Sequence, residues 1–141
     1  MPTEVRVVEE IAAPAARVWA LIRGFGDLMA WAEGLESCEL AGSGVGAVRT
    51  VGLPGGLKLQ ERLESFDEAG RSFSYAIIGK NPLPFRDYLS RVQLREADPA
   101  RCEITWEGRF EPKPDSEAAS QKMVRGIYTG SIASLRKKLG A

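Results

Sequence analysis

The middle of the chain, from Leu35 to Pro112, consists almost entirely of short runs in which apolar and polar residues alternate. Six such runs follow one another, joined by turn-rich segments: SCELAG, AVRTV, LKLQERLESF, SFSYAIIG, YLSRVQLRE and CEITWEGRFEP. A period of two is typical of strands with one buried face, and short turns between consecutive strands favour antiparallel pairing. The opening run, TEVRVVEEI, has the same pattern. The sequence therefore predicts a seven-stranded antiparallel sheet.

Three segments break this period and predict helices. AAPAARVWALIRGFG carries an apolar helical face after Pro14, and GDLMAWAEG predicts a short helical turn directly after it. Residues 116–139 predict a long helix that begins after Asp115, at Ser116, and ends before Gly140. At 1.5 Å per residue its length is roughly 36 Å, which is enough to cross a whole curved sheet.

Together these elements predict an α+β fold in one domain over residues 1–141. We expect a curved antiparallel sheet wrapped around the C-terminal helix, with two short helices after the first strand. A sheet bent into such a half-barrel does not easily fill its own centre. An internal cavity is therefore expected.

The composition of the chain excludes several classes of chemistry. There is no histidine, which excludes histidine-dependent nucleophiles and histidine-ligated zinc, and we expect neither a metal nor a cofactor. Lys+Arg and Asp+Glu balance at 19 each, so no overall positive field favours nucleic acid. Cys38 and Cys102 are far apart in the sequence and are expected to be free thiols. The basic cluster 136–138 is interpreted as the solvated end of the long helix.

The N-terminal sequence MPTEVRVVEE is charged and alternating, unlike a signal peptide. No run of the chain approaches the roughly 20 apolar residues of a membrane span. The expected location is the cytoplasm.

Two connections differ from ordinary hairpin turns. VGLPGG, residues 51–56, places Leu53 and Pro54 at the tip of a turn, and KNPLPF, residues 80–85, contains two prolines, a leucine and a phenylalanine. Both segments are longer than ordinary hairpin turns, and both carry apolar side chains. We interpret the loops 52–56 and 81–85 as gates at one rim of the cavity.

Several strings follow one another in order nearly from end to end of the chain: Ala13–Pro14 with Val18–Trp19 and Phe25, GVGAVRTV, GLP, ERLESFD, YAIIG, Tyr88 with Ser90, and the terminal helix up to Leu135. Taken in this order they resemble the START/polyketide-cyclase superfamily, which includes the birch-pollen-allergen relatives and the plant abscisic-acid receptors. The resemblance implies the helix-grip fold of that superfamily, with a cavity that binds a small molecule.

The resemblance also implies a role for the two loops. In the receptors the glycine–leucine–proline loop closes over the hormone opposite a latch loop; this chain keeps GLP at 52–54 but has NPLPF, 81–85, in place of the latch. The receptor lysine that pairs with the hormone's carboxylate corresponds to Glu36 or its neighbour. An anion there would repel a carboxylate. We therefore expect a bacterial-type member that does not sense abscisic acid.

A charged pair is predicted inside the cavity. Alternation along LKLQERL turns the residues of one face toward the concave side of the sheet, namely Leu57, Leu59, Glu61 and Leu63. A buried carboxylate needs a partner, and Arg49 on the preceding strand is the candidate. The pair is either a buried ion pair that fixes the sheet or a polar anchor for a ligand, and the two roles are compatible.

Other positions are predicted to contact a ligand by the same alternation, by four-residue spacing on the long helix, or by lying in or near the two loops. For each aromatic residue among them, ordinary core packing is an equally good explanation. With Arg49 and Glu61, the predicted ligand-binding set comprises Glu36, Cys38, Val51, Leu53, Pro54, Leu59, Leu63, Tyr75, Ile77, Leu83, Phe85, Tyr88, Ser90, Trp106, Gly108, Met123, Val124, Ile127 and Ser131.

Gly126 and Gly130 interrupt the long helix, where each costs roughly 1 kcal/mol relative to alanine. Either space is needed beside them or a neighbouring backbone packs closely against them. The sequence does not separate these two explanations.

The leading functional hypothesis is non-catalytic binding or carriage of a small, largely hydrophobic molecule in the cavity. The alternative is a cofactor-independent polyketide cyclase, aromatase or lyase, with Glu61 as base, Tyr75 or Tyr88 as acid, and Arg49 stabilising an enolate. A third hypothesis is an interaction module whose gate loop docks a protein partner or supports a homodimer.

Overall fold

The computed structural model describes residues 2–141. The strands are β1 (Thr3–Ile11), β2 (Ser37–Ala41), β3 (Val48–Gly52), β4 (Lys58–Asp67), β5 (Ser72–Ile78), β6 (Phe85–Asp98) and β7 (Arg101–Pro112). Helix α1 (Ala15–Ile22) and a short 3₁₀ helix (Leu28–Ala30) lie between β1 and β2. Helix α2 (Glu117–Leu139) ends the fold.

The seven strands form one antiparallel sheet in the spatial order β1-β7-β6-β5-β4-β3-β2. Strands β2 to β7 pair with their neighbours in sequence, and β1 adds to the outer edge of β7. The predicted seven-stranded sheet is confirmed. Register shifts between Leu63 and Ser65 in β4, and at two places in β6, interrupt the ladder. Such irregularities bend strands, and they help the sheet to curve around α2.

Helix α2 buries one face against β1 and β7. Its fully buried residues on that face are Ser120, Val124, Tyr128, Ile132 and Leu135. At its N-terminus Ser116 occupies the capping position, but its hydroxyl donates to the carbonyl of Pro114 (3.4 Å) and caps no helical N–H. At its C-terminus Gly140, with φ of +70°, turns back so that the N–H groups of residues 140 and 141 bond the last carbonyls.

The basic cluster at the end of α2 does more than contact solvent. Arg136 pairs with Glu9 (2.7 Å) and donates to the carbonyl of Glu10 (2.6 Å), which attaches the end of the helix to β1. Lys137 pairs with Glu33 (3.3 Å). Lys137 and Lys138 are exposed, so the cluster is a solvated helix end as expected, and Arg136 in addition bonds it to β1.

Leu57 was expected to face inward, but it is 51% exposed. The N–H of Leu53 donates to the carbonyl of Leu57 (2.7 Å), so Leu57 closes the loop and β4 begins at Lys58. Alternation holds only inside the ladder, and Leu57 lies outside it. Among residues 2–141, no helix is at once long enough and apolar enough to cross a membrane.

Candidate functional site

A cavity of about 780 Å³ lies on the concave side of the sheet. Its walls are the inward faces of β3 to β7, the second half of α2, and the segment 31–35 that follows the 3₁₀ helix. This volume falls within the roughly 300–1,000 Å³ of typical small-molecule sites. Most of the wall is apolar or aromatic: Ile22, Leu28, Trp31, Ala32, Leu35, Val51, Leu53, Leu59, Phe73, Tyr75, Ile77, Leu83, Phe85, Tyr88, Trp106, Ile127 and Ala133.

The structure brings a large part of the predicted ligand-binding set together around this cavity. These residues lie in its wall: Arg49, Val51, Leu53, Leu59, Glu61, Tyr75, Ile77, Leu83, Phe85, Tyr88, Trp106, Ile127 and Ser131. Their contact with a ligand stays a prediction. The other predicted residues lie outside the wall: Glu36, Cys38, Pro54, Leu63, Ser90, Gly108, Met123 and Val124.

Glu36 is exposed and directly precedes β2, and its backbone N–H donates to the carbonyl of Gly52 at the end of β3 (2.8 Å). Its charge therefore does not face the cavity, and the expected repulsion of a carboxylate ligand by Glu36 has no geometric basis. Pro54 is also exposed, and Cys38 is half-buried beside Val51 without reaching the wall.

On α2 the four-residue spacing holds for Ile127 and Ser131 but not for Met123, and Val124 on the neighbouring stripe is also outside the wall. Four residues advance an α-helix about 40° past a full turn, so Met123 is rotated about 80° from Ser131. Met123 is accordingly 39% exposed and outside the wall, while Val124 is fully buried against the sheet. The helical face on the cavity comprises Gly126, Ile127, Gly130, Ser131, Ala133, Ser134 and Lys137.

Three predicted residues lie in a packed layer behind the wall. Leu63 is 4% exposed within the hydrophobic core. Ser90 is fully buried and bonds the hydroxyl of Tyr128 (3.1 Å). Gly108 faces the same hydroxyl so closely that any Cβ would collide with it.

Sequence reasoning missed the wall residues before β2, namely Ile22, Gly24, Leu28 and the segment 31–35. That segment is irregular, so no period indicated its inward face. Phe73 was also missed, although the alternation that turned Tyr75 and Ile77 inward applied equally to it. Extending that alternation by one step toward the start of β5 would have been enough to find it.

Arg49 and Glu61 form the predicted ion pair inside the wall. They are directly opposed across β3 and β4, and Nε of Arg49 donates to Oε1 of Glu61 (2.8 Å). Nη1 of Arg49 donates to the carbonyl of Phe25 (3.1 Å). The guanidinium carbon also lies 4.0 Å from the ring centroid of Phe25 and 5.0 Å from that of Tyr75. Aromatic faces stabilise the cation in this position.

A buried hydroxyl cluster borders the pair. The hydroxyls of Tyr88 and Tyr128 are 2.6 Å apart, and Tyr128 donates to Ser90, which donates to the carbonyl of Glu107. The indole of Trp106 donates to the hydroxyl of Tyr75 (3.1 Å). Burial raises the pKa of all three tyrosines, and the nearby Glu61 charge further raises the pKa of Tyr75. These hydroxyls are neutral hydrogen-bonding groups at physiological pH.

The loop 52–56 places one apolar side chain in the wall. Leu53 is half-buried against the core, whereas Gly55 and Gly56 have φ of +85° and +80°, and a Cβ on either would meet no atom within 4 Å. Glycine adopts these angles without strain. The loop thus turns Leu53 inward over the cavity.

The loop 81–85 is held more firmly. Asn81 donates to the carbonyl of Phe85 (2.7 Å) and accepts from the N–H of Leu83 (3.0 Å). The carbonyl of Pro84 accepts from the N–H of Lys113 and from the hydroxyl of Ser120 on α2. Leu83 lies in the wall and Phe85 is 1% exposed, so the C-terminal end of this loop is anchored.

The cavity reaches the surface beside α2. Gly126, Ile127, Gly130 and Lys137 are exposed residues that also belong to its wall. Across from them, Glu33 pairs with Lys137 (3.3 Å) and its N–H donates to the hydroxyl of Ser134 (3.3 Å). A Cβ on either glycine would meet no atom within 4 Å, which excludes close backbone packing as the reason for them.

The family described as "Polyketide cyclase / dehydrase and lipid transport" matches residues 2–140. The chain belongs to this family. An abscisic acid receptor of Arabidopsis thaliana is 34% identical over 80 residues, which cover 52% of this chain and 37% of the receptor. The chain therefore matches well under half the length of that receptor.

Solved structures share the whole architecture. An uncharacterized protein from Bacillus thuringiensis superimposes with a TM-score of 0.88 and 31% identity, covering 96% of this chain and 97% of that one. Ara h 8.0201 superimposes with a TM-score of 0.81 over 100% of both chains, but at 17% identity that likeness concerns the fold alone. The polyketide cyclase/dehydrase resemblance and the helix-grip fold are both confirmed.

Proposed function

We propose that this polyketide cyclase/dehydrase family member binds or carries a small, largely hydrophobic molecule in its internal cavity, as a single domain over residues 1–141. The observation that carries the proposal is the cavity itself, with about 780 Å³ enclosed mainly by apolar and aromatic side chains. Binding of an apolar ligand to such a surface is favoured by the exclusion of water, by about 25 cal/mol for each Å² of apolar area that is buried.

The proposed entry route lies beside α2, between the exposed glycine side of the helix and the loops that carry Leu53 and Leu83. Gly126 and Gly130 leave open space along this route. The loop 81–85 is anchored at Ser120, so the glycine-containing loop 52–56 is the more mobile of the two proposed gates. Leu53 would then close over the bound molecule.

The enzyme alternative receives less support from the same contacts. Its proposed acids, Tyr75 and Tyr88, have raised pKa values caused first by burial, which makes them weaker proton donors. The hydroxyl of Tyr88 is already bonded to that of Tyr128. The proposed base, Glu61, is held by Arg49. A binding function requires none of these bonds to break.

The test measures uptake of the neutral apolar dye Nile red by fluorescence, with native mass spectrometry of the purified protein as a second readout. The informative variant is Ile127→Trp, since Ile127 is 44% exposed and lies in the wall. Its matched control is Met123→Trp, one turn away on the same helix, 39% exposed and outside the wall. Both side chains are near the surface, so neither change should unfold the protein.

We expect saturable Nile red binding by the wild-type protein and by Met123→Trp, and weakening of about tenfold or more in Ile127→Trp as the indole fills the entrance. Absence of saturable binding to the wild-type protein contradicts the proposal. Equal weakening by the two tryptophans contradicts the assignment of the entrance.

A further inference from the structure

Resting on the proposed binding function, we infer that the ligand's polar end is uncharged and carries both a hydrogen-bond donor and an acceptor, as a primary amide does. The inference concerns the Arg49–Glu61 pair, which lies in the cavity wall. It specifies the chemical class of the ligand, which cavity size and apolarity leave open.

The pair uses only part of its hydrogen-bonding capacity. Arg49 donates from Nε to Oε1 of Glu61 and from Nη1 to the carbonyl of Phe25. Within residues 2–141, no hydrogen bond involves Nη2 of Arg49 or Oε2 of Glu61. The Nη2 N–H groups of Arg49 and the Oε2 oxygen of Glu61 therefore remain available to a ligand.

These two atoms face the cavity. Arg49 is 6% exposed and Glu61 is 9% exposed, yet over the described chain no fully buried side-chain nitrogen or oxygen lacks a partner. Nη2 and Oε2 must therefore account for part of that small exposed area. Because both residues belong to the wall, the space that these atoms contact is the cavity. A ligand group that accepts from Nη2 and donates to Oε2 would give each of these atoms a hydrogen-bond partner.

The charges around the cavity favour an uncharged group. The ionised side chains of the wall are Arg49 with Glu61 (2.8 Å) and Lys137 with Glu33 (3.3 Å), which gives two neutral pairs. A ligand carboxylate bonded to Arg49 would lie against the Glu61 carboxylate, and an ammonium bonded to Glu61 would lie against the guanidinium. A buried charge without its own counterion is strongly disfavoured.

The neighbouring hydroxyls do not compensate for such a charge. Tyr88 bonds Tyr128, and Tyr75 accepts from Trp106; both are neutral hydroxyls, so neither supplies a countercharge. The ion pair offers a donor and an acceptor side by side, and a neutral amide matches them without separating the pair.

The test is displacement of Nile red from the wild-type protein at neutral pH by octanamide, octanol, octanoate and octylamine, which share one alkyl chain. We expect octanamide to bind more tightly than octanoate and octylamine by about tenfold or more, with octanol between them. If Nile red binds but octanoate or octylamine displaces it as well as octanamide does, this inference alone is overturned. No Nile red binding removes the proposed function itself.

A second arm changes the charge of the pair. Glu61→Gln keeps the shape and an acceptor for Nε, but it leaves Arg49 without a counterion and turns an amide N–H toward the ligand. We expect the preference to shift toward octanoate by about tenfold or more. The matched control is Glu103→Gln, which alters the Arg95–Glu103 pair (3.0 Å), also opposed across two strands but exposed. An unchanged preference in folded Glu61→Gln, or an equal shift in Glu103→Gln, contradicts the inference.

Discussion

At the scale of single residues, Gly108 illustrates how a wall position differs from a position behind the wall. It is opposed to Ser90 in the β6–β7 ladder and lies directly against the hydroxyl of Tyr128. Tyr128 is fully buried and stacks on Trp106 at a centroid distance of 5.6 Å, so it has little room to move. Glycine at 108 is needed for the hydroxyl cluster and makes no contact with the cavity.

The corresponding prediction concerns Gly108→Ala. The added methyl group displaces the Tyr128 hydroxyl from Tyr88 and Ser90, and we expect the free energy of unfolding to fall by about 1–3 kcal/mol. Chemical denaturation measures the change. Adding Tyr128→Phe, which removes the colliding oxygen, should recover part of the loss, and a fully stable Gly108→Ala protein would contradict the assignment.

The same cluster predicts a pH dependence. All three tyrosines have pKa values raised by burial above the ordinary value of 10.0. The folded protein therefore keeps protons that the unfolded chain releases. Their contribution is fully present below about pH 10 and is lost as the pH rises above it, by up to about 1.4 kcal/mol per pH unit for each tyrosine.

Spectrophotometric titration of tyrosinate, followed together with circular dichroism, tests this dependence. Because Tyr75, Tyr88 and Tyr128 are the only tyrosines in the sequence, the absorbance reports these groups alone. We expect tyrosinate to form only as the protein unfolds. Ordinary titration near pH 10 with the fold intact would disagree with the buried cluster.

At the scale of elements, α2 combines two roles on two faces. One face, with Val124, Tyr128 and Ile132, fills the core against β1 and β7. The other leaves Gly126 and Gly130 beside open space at the cavity entrance. The two residues with low helix propensity therefore lie where the helix borders the cavity.

We predict that Gly126→Ala and Gly130→Ala each raise the free energy of unfolding by about 1 kcal/mol, because alanine favours the helix and meets no atom within 4 Å. Urea denaturation measures the gain. Gly108→Ala provides the contrast, since the same substitution is expected to have the opposite sign in a crowded strand. Destabilisation by either helical alanine would indicate a close contact that this structure does not contain.

At the scale of the whole molecule, the core consists of a filled part and a hollow part. Ile11, Val18, Ile104, Ile132 and Leu135 are fully buried and lie outside the cavity wall. The hollow part lies under β3 to β7, where the inward side chains line the cavity. The filled part supplies stability, while the hollow part is available for binding.

Two leucine-to-alanine substitutions distinguish the parts. Leu135→Ala opens a new cavity in packed core and is expected to cost about 2–5 kcal/mol. Leu59→Ala, at 8% exposure in the wall, enlarges an existing cavity and is expected to cost less than about 2 kcal/mol. Equilibrium denaturation of both variants gives the comparison; equal costs would argue against a hollow part in solution.

The sequence by itself determined the sheet, the long helix and the Arg49–Glu61 pair. These follow from local rules, because side chains alternate across a strand and a short turn fixes which residues become opposed. Parity therefore placed Glu61, Tyr75 and Trp106 on the inner face. Only the tertiary structure decided where that inner face is filled and where it is hollow. The irregular segment 31–35 carries no period, and the rotation of α2 about its axis depends on its packing against β1 and β7, which is why Met123 and Val124 were wrongly assigned to the cavity.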